Sequence, residues 1–271
     1  MPELPEVEVC RLGISPHILD QQVTDVIVRN ARLRWPIPDE VKLLVGHKVQ
    51  AVDRRSKYLL IRFDTGTLVL HLGMSGTIRV IRADTPVAKH DHFDLVFGHN
   101  SALRLNDPRR FGAVLWLDQH QDDLGLLSKL GPEPLSDDFA HGYLYAKAKN
   151  RKVAIKTLLM NNQIVVGVGN IYANEALFQA GILPTTPANT LSEQRLDKLT
   201  DIIKEVLKAA IRQGGTTLKD FTQADGRPGY FAQSLFVYGR AGEPCLQCSS
   251  ELLEVRQGNR SSVYCPSCQK D

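Results

Sequence analysis

The chain has no apolar run approaching the roughly twenty residues of a membrane span, no basic-then-apolar segment at its start, no internal repeat and no low-complexity tract. The first absence argues against a membrane protein, and the second leaves nothing to direct the chain out of the cytosol. The other two exclude a repeat array and a compositionally biased tail. A large excess of charge is also missing. Against 30 Asp and Glu stand 33 Lys and Arg, a net charge of +3 with pI ≈ 8.6, which permits a nucleic-acid partner without arguing for one. Cysteine is scarce, and four of the five residues fall in the last thirty positions. The fifth, Cys10, reads as a buried apolar residue. With 271 residues the chain is long enough for two ordinary domains, each with its own core.

What is present begins with Met1-Pro2-Glu3-Leu4-Pro5-Glu6-Val7-Glu8. Residue 2 is small, so removal of the initiator Met is expected, which would leave Pro2 with a free secondary amine. An α-amino group has a pKa of about 8, so a useful fraction is unprotonated at neutral pH and can attack electrophilic carbon. Pro5 suits the first position of a helix, and Glu6 and Glu8 suit the positive end of its dipole. By itself the same stretch is also simply a well-started helix.

The first half reads as short strands: Val23 to Arg29, Val49 to Asp53, Tyr58 to Phe63, Leu68 to Leu72, Thr77 to Ile81, Phe93 to Phe97, Ala102 to Leu105 and Ala113 to Leu117. Turns are expected at Asp64-Thr65-Gly66 and at Gly98-His99-Asn100-Ser101. Antiparallel strands at this spacing predict a β-sandwich or barrel with the first helix laid against it.

Polar residues collect at the strand edges. Lys57 ends the basic run from Arg54, a pattern shared with many solvated loops. His71 sits in an apolar strand, where a hydrogen-bonded core role is the simpler reading. Met74, in Leu72-Gly73-Met74-Ser75-Gly76, is either packing or an outward projection at a tight turn. Lys89-His90-Asp91-His92 has metal-binding residue types but no further ligand nearby. Asp107-Pro108-Arg109-Arg110-Phe111-Gly112 sets two Arg beside an aromatic, which suits phosphate contact with an apolar wedge, or an ordinary basic turn.

Leu130 to Ser136 combines Gly, Ser and two Pro and predicts a hinge. Lys147, Lys149, Arg151, Lys152 and Lys156 follow with no acid among them, either a solvated helix face or a cationic patch for a duplex. The second half then reads as helices over Val153 to Asn161 and Asn170 to Ala180, closed by Gly181, and a long amphipathic helix after a Thr190/Glu193 capping box. Gly167-Val168-Gly169-Asn170 before a helix start could bring backbone amides to a phosphate, or be a plain turn. Thr216 to Tyr230, with Lys219, reads as a mobile flap.

The last thirty residues carry the most specific pattern. Cys245-x-x-Cys248 and Cys265-x-x-Cys268, sixteen residues apart, match a four-cysteine zinc ribbon. With thiolates filling all four positions, the zinc would be structural. Without a secretory segment, disulfides are the weaker alternative. Gly258-Asn259 at the tip of the intervening hairpin puts Arg260 near an exposed turn.

PELPEVE, RRSKYLL, HLGMSG, KHDH, DPRRFGA, VVGVGNIYANE, GGTTLKDF and the cysteine ribbon occur in the order found in bacterial formamidopyrimidine-DNA glycosylases, which the chain resembles over nearly its whole length. Val9, Cys10 and Leu12 depart from the family pattern, on the first helix beyond its reactive end.

The resemblance implies an α+β multidomain protein. An N-terminal antiparallel β-sandwich with a flanking helix would occupy 1–130, a linker 131–150, a helical helix-two-turn-helix domain 151–235, and a four-cysteine zinc finger 236–271. It further implies excision of oxidised purines, 8-oxoguanine and formamidopyrimidines, from duplex DNA by a bifunctional glycosylase and AP lyase. Pro2 would form the Schiff base, with Glu3 as acid/base partner and Glu6 positioning it or a proton-transfer water. Lys57 and Arg260 would contact the phosphates around the lesion and serve as donors for β- and δ-elimination. His90, Arg109, Arg151, Asn170 and, less strictly, His71 would hold the DNA backbone. Met74, Arg109 and Phe111 would fill the gap left by a flipped nucleotide, and Lys219 would lie in the flap over the base. The implied requirements are one structural Zn2+, no organic cofactor, a double-stranded DNA partner carrying an oxidised purine or abasic site, a monomer, and a cytoplasmic, nucleoid-associated location. Two rivals remain on the residues alone: a DNA-binding module without catalysis, and a sister enzyme of the endonuclease VIII type acting on oxidised pyrimidines.

Overall fold

The computed structural model describes residues 2–119, 125–215 and 235–271; the flap expected over Thr216 to Tyr230, with Lys219, lies outside them. The chain divides into two compact units, Met1–Ser128 with Gln213–Ala232, and Lys129–Arg212 with Gln233–Asp271.

The first unit is built from one helix, α1 (Leu4–Ile18), and eight strands: β1 (Val23–Val28), β2 (Ala51–Arg55), β3 (Tyr58–Phe63), β4 (Gly66–His71), β5 (Thr77–Arg82), β6 (Asp91–Phe97), β7 (Ser101–Asn106) and β8 (Ala113–Asp118). They form two four-stranded antiparallel sheets, ordered β1-β6-β7-β5 and β2-β3-β4-β8. The inner strands β4 and β6 are buried at all but one residue each; β4 is mostly apolar, whereas β6 also buries Asp91, His92 and Asp94. Val7, Cys10, Ile14 and Ile18 of α1 share one core with residues of both sheets, among them Leu59, Leu68, Leu70, Phe93, Leu95 and Leu103. Their spacing of three and four is the helical stripe that lets one face of α1 close the sandwich.

A cluster of charged side chains is buried between β6 and β7 of this unit. Arg104 of β7 is fully buried opposite Asp94 of β6. Its Nη2 donates to Asp94 Oδ2 at 2.8 Å and its Nη1 to the carbonyls of Thr85 and Pro86, while Arg29 reaches the same Asp94 oxygen at 2.6 Å. Burial opposes ionisation of Asp94, but the bonds from the two arginines outweigh it and hold the carboxyl below its ordinary range.

The second unit contains α2 (Tyr143–Ala148), α3 (Ile155–Leu159), α4 (Asn170–Ala180), α5 (Glu193–Arg212) and the hairpin β9 (Leu253–Gln257) and β10 (Arg260–Tyr264). Helix α2 lies in the segment read as a linker. Helix α3 is shorter than expected at both ends, and just beyond its C-terminal end Asn161 Oδ1 accepts the amide of Gln163 at 2.9 Å. Helix α4 is buried over most of its length and ends at Gly181 in the left-handed conformation, φ 71°. The expected Thr190/Glu193 capping box does not form. Thr190 bonds the carbonyl of Pro187, and Ser192 instead accepts from the amide of Arg195 at the start of α5. Among the described residues, no helix is long and apolar enough to cross a membrane.

Candidate functional site

Pro2, Glu3 and Glu6 are all buried at the start of α1. Glu3 is the N-cap and Glu6 the third helical residue of a capping box, with the Glu3 amide donating to Glu6 Oε2 at 2.8 Å. Gly215 (φ 77°) lies against Glu6, and a Cβ there would come 3.2 Å from Oε1, so only glycine gives the backbone this approach. Glu8, one turn further, faces arginines instead: burial raises its pKa, but bonds from Arg11 and Arg54 prevail and lower it. Two buried carboxyl groups within four residues of Pro2 in the chain are groups of the type that transfer protons.

Lys57 stands in the two-residue turn between β2 and β3, where Ser56 adopts φ 55°, and it is 9% exposed. Beside the turn, Tyr58 and His71 pair across β3 and β4 with ring centroids 4.8 Å apart. Burial, with help from the charges of Lys57 and Arg34 and against that of Asp107, pushes His71 down to about 4. The ring is therefore neutral at pH 7. Its Nδ1 accepts the Gly73 amide at 3.0 Å, so the hydrogen resides on Nε2, an uncharged donor beside two cations. Arg34 was not singled out from the sequence. Its guanidinium lies over the Trp35 ring at 4.6 Å and its amide donates to the Gly112 carbonyl at 3.1 Å. The signal was present in Arg32-Leu33-Arg34-Trp35, the same mix of Arg and aromatic read as informative at Arg109 to Phe111.

The loops after β4 and β7 interlock. Gly73 (φ 61°) lies so close to the Phe111 carbonyl group that a Cβ would collide with it, and a Cβ on Gly112 would meet the His71 carbonyl oxygen at 2.8 Å. The interlock presents Met74 and Phe111 outward at 38% and 45% exposure, with the Arg109 guanidinium 5.0 Å from the Phe111 ring centre. A cation beside two exposed apolar tips can meet a phosphate while entering a base stack. His90 accepts the Asp107 amide through its carbonyl at 3.0 Å and sets its ring edge-on to His92 at 6.3 Å. The neighbouring groups are committed elsewhere, Asp91 to Arg104, Asn106 and the Ala88 amide, and His92 to the Asp107 carbonyl, which leaves no metal set in this segment.

In the second unit Asn170 opens α4 behind Gly167 (φ 78°) and Gly169, and its Oδ1 is buried with no hydrogen-bond partner among the described residues. Arg151 is exposed, as are Lys149 and Lys152. Lys156 corrects the expected patch: it is 1% exposed, with Nζ donating to the Ser261 carbonyl at 2.8 Å and Ser262 Oγ at 2.6 Å. These bonds anchor β10 next to Arg260, which is exposed at its first position. A cavity of about 520 Å3 lies here, lined by Thr157, Met160, Asn161 and Arg260 among others.

Cys245, Cys248, Cys265 and Cys268 bring their sulfurs within 4.8 Å of one another, with Cys245 to Cys268 at 3.9 Å and Cys248 to Cys265 at 3.4 Å. A zinc tetrahedron with Zn–S bonds of about 2.3 Å has sulfur–sulfur edges of roughly 3.8 Å. The four residues fit that ion. Amides of Gln247 and Cys268 point at Cys245 and Cys265 sulfurs at 3.4 Å, the outer bonding expected around metal thiolates.

Comparison with known proteins gives matches along the chain. Residues 1–114 match the formamidopyrimidine-DNA glycosylase N-terminal domain, residues 130–222 the formamidopyrimidine-DNA glycosylase H2TH domain, and residues 242–270 the zinc finger found in FPG and IleRS. The chain is 76% identical to formamidopyrimidine-DNA glycosylase of Colwellia psychrerythraea over 271 residues, 100% of both chains. It is 58% identical to that of Shewanella halifaxensis over 270 residues, again 100% of both. Among solved structures it is similar to the MutM (FPG) protein of Thermus thermophilus, with TM-score 0.89, 37% identity and coverage of 99% and 98%. It is also similar to Lactococcus lactis Fpg in complex with DNA containing an abasic site, with TM-score 0.91, 33% identity and coverage of 99% and 100%. The Lactococcus lactis protein in complex with DNA containing Fapy-dG matches with the same TM-score, identity and coverage.

Proposed function

The chain belongs to the formamidopyrimidine-DNA glycosylase family, and from that membership we propose that it is a base-excision DNA glycosylase and AP lyase acting on oxidised purines in duplex DNA. The observation that carries the reading is the burial of Pro2, Glu3 and Glu6 together at the start of α1, with Glu3 and Glu6 joined in a capping box.

With Met1 removed, the Pro2 amine attacks C1′ of the flipped nucleotide, the glycosidic bond breaks, and the base leaves with a proton. The product is an iminium, positively charged because the amine is secondary, and it acts as an electron sink. Glu3 supplies and takes the protons that open the sugar ring, and Glu6, fixed by the Glu3 amide, positions it or a water. Elimination of the 3′ phosphate and then the 5′ phosphate follows, with Lys57 and Arg260 neutralising those phosphates. Neutral His71, with His90, Arg109, Arg151 and Asn170, holds the backbone. Met74, Arg109 and Phe111 occupy the gap that flipping leaves, and Lys219 acts over the extruded base.

In this reading residues 1–130 carry the nucleophile, 131–150 link, 151–235 hold DNA, and 236–271 form a finger whose four cysteines hold one structural Zn2+. No organic cofactor is needed, and the protein works as a monomer at the nucleoid. The test is borohydride trapping on an end-labelled duplex with one 8-oxoguanine opposite cytosine. A covalent adduct whose peptide map places the DNA on Pro2, and a gap ended by phosphates without reductant, are expected. Tight binding with neither adduct nor cleavage would favour a DNA-binding module without catalysis.

A further inference from the structure

Asp107 and Ser75 lie behind the exposed tips of Met74, Arg109 and Phe111, and neither reaches solvent, at 0% and 4% exposure. Asp107 Oδ1 accepts from Ser75 Oγ at 2.9 Å and from the Arg109 amide at 3.3 Å, while Oδ2 accepts from the Gly112 amide at 2.7 Å. Its carbonyl takes His92 Nε2 at 2.9 Å and the Arg110 amide at 3.2 Å, and its own amide donates to the His90 carbonyl at 3.0 Å. Ser75 Oγ also accepts from the Arg109 amide at 3.3 Å. Every polar atom of Asp107 is engaged, and all its side-chain donors come from the two loops that bear the tips.

We infer that Asp107 and Ser75 are positioning residues that fix Met74 relative to Arg109 and Phe111, so that the three enter a duplex as one rigid wedge. A buried carboxylate tolerates burial only while its acceptor sites are filled. Slippage of either loop would strip Asp107 of a donor, and the Gly73 and Gly112 close approaches block the same movement sterically. The Arg34 amide, bonded to the Gly112 carbonyl, holds the far end. Preorganisation of this kind matters where the wedge must displace a base pair, and not where the nucleotide is already unstacked.

The inference rests on the function proposed above, and the experiment separates the two. Ser75→Ala and Asp107→Asn are compared with the wild type in two assays: single-turnover excision of 8-oxoguanine from a duplex, and borohydride trapping on a single-stranded oligonucleotide carrying an abasic site. Losing the Ser75 bond is expected to slow duplex excision about ten-fold, and Asp107→Asn, which also disturbs the Gly112 bond, to slow it further. Trapping on the single strand should keep pace with the wild type for both variants. Equal losses in both assays would reduce the pair to fold maintenance, and no loss in either would leave the wedge indifferent to it; each result overturns the inference. A wild type inactive in both assays would overturn the proposed function and this inference with it.

Discussion

The amide of Val263, in β10, donates to Oδ1 of Asn174, in α4, at 2.9 Å. Asn174 also donates to the carbonyl of Asn170 at 2.6 Å, and the next residue, Glu175, takes the amides of Phe236, Val237 and Tyr238 at 2.8 to 2.9 Å. The helix that begins at Asn170 is therefore the beam from which the cysteine ribbon hangs.

Removal of zinc should unfasten that ribbon. A structural zinc supplies roughly 10–16 kcal/mol of local folding free energy, and the apolar cluster of Phe178, Val237, Leu252 and Val263 closes around two of the cysteines. Chelation is expected to release one zinc per chain, abolish duplex binding by more than about ten-fold, and be reversed by added zinc. A colorimetric zinc assay run beside a gel-shift titration checks both. Retention of full affinity by zinc-free protein would contradict the expectation.

Gly73→Ala should destabilise the first unit. The backbone there is left-handed and the new methyl group would strike the Phe111 carbonyl. The two effects together cost on the order of 2–3 kcal/mol, which urea unfolding followed by Trp fluorescence would measure. Gly46→Ala, also at a positive φ of 92° but with nothing within 4 Å of the new methyl group, should carry the backbone strain without the collision.

His71 gives a pH dependence with a defined sign. Its folded pKa is about 4, below the unfolded value of 6.5. Between those limits the unfolded chain binds the extra proton, so stability is full above about pH 6.5 and falls as the pH drops toward 4, by on the order of 3 kcal/mol. Denaturation at pH 5 and pH 7.5, with His71→Gln as the comparison, should show a smaller pH slope in the variant. Nitrogen NMR should report the Nε2–H tautomer at pH 7.

Arg104→Leu should cost about 3–5 kcal/mol, because it leaves Asp91 buried without a cation and Asp94 with Arg29 alone. Arg82→Leu, which breaks a pair on the surface, should leave stability nearly unchanged. Parallel melts of the two variants would separate buried from exposed pairing.

The sequence carried local structure well and distant partnership poorly. Most strands of the first unit are legible because they are short, rich in branched and apolar residues and broken by Gly, Asp or Asn; β2, which carries Asp53, Arg54 and Arg55, lies two residues beyond its expected place. The cysteine ribbon was legible because metal geometry dictates spacing. Lys156 was misread as part of an exposed patch, since its partners lie 105 and 106 residues away in β10 and nothing near it announces burial. Asp107 looked like a turn residue, and its bond to Ser75 spans 32 residues. Thr190 was taken for a cap because it precedes Glu193 by three, but the hydroxyl two positions later is the one aimed at the first turn. Helix α2 has neither a capping side chain nor a long stripe, so nothing marks it locally.

The Arg104 cluster also bears on how this sequence can change over time. Arg104, Asp94, Arg29 and Asp91 share one set of bonds, so replacing Arg104 leaves its buried carboxylates short of positive charge. An apolar substitute for Arg104 is better accommodated once its partners have changed as well, and each single step on that route loses stability. Substitutions at these positions should therefore be strongly non-additive. Exposed positions of the same unit, such as Leu43 and Val87, carry no such coupling to the cluster and should tolerate change one at a time.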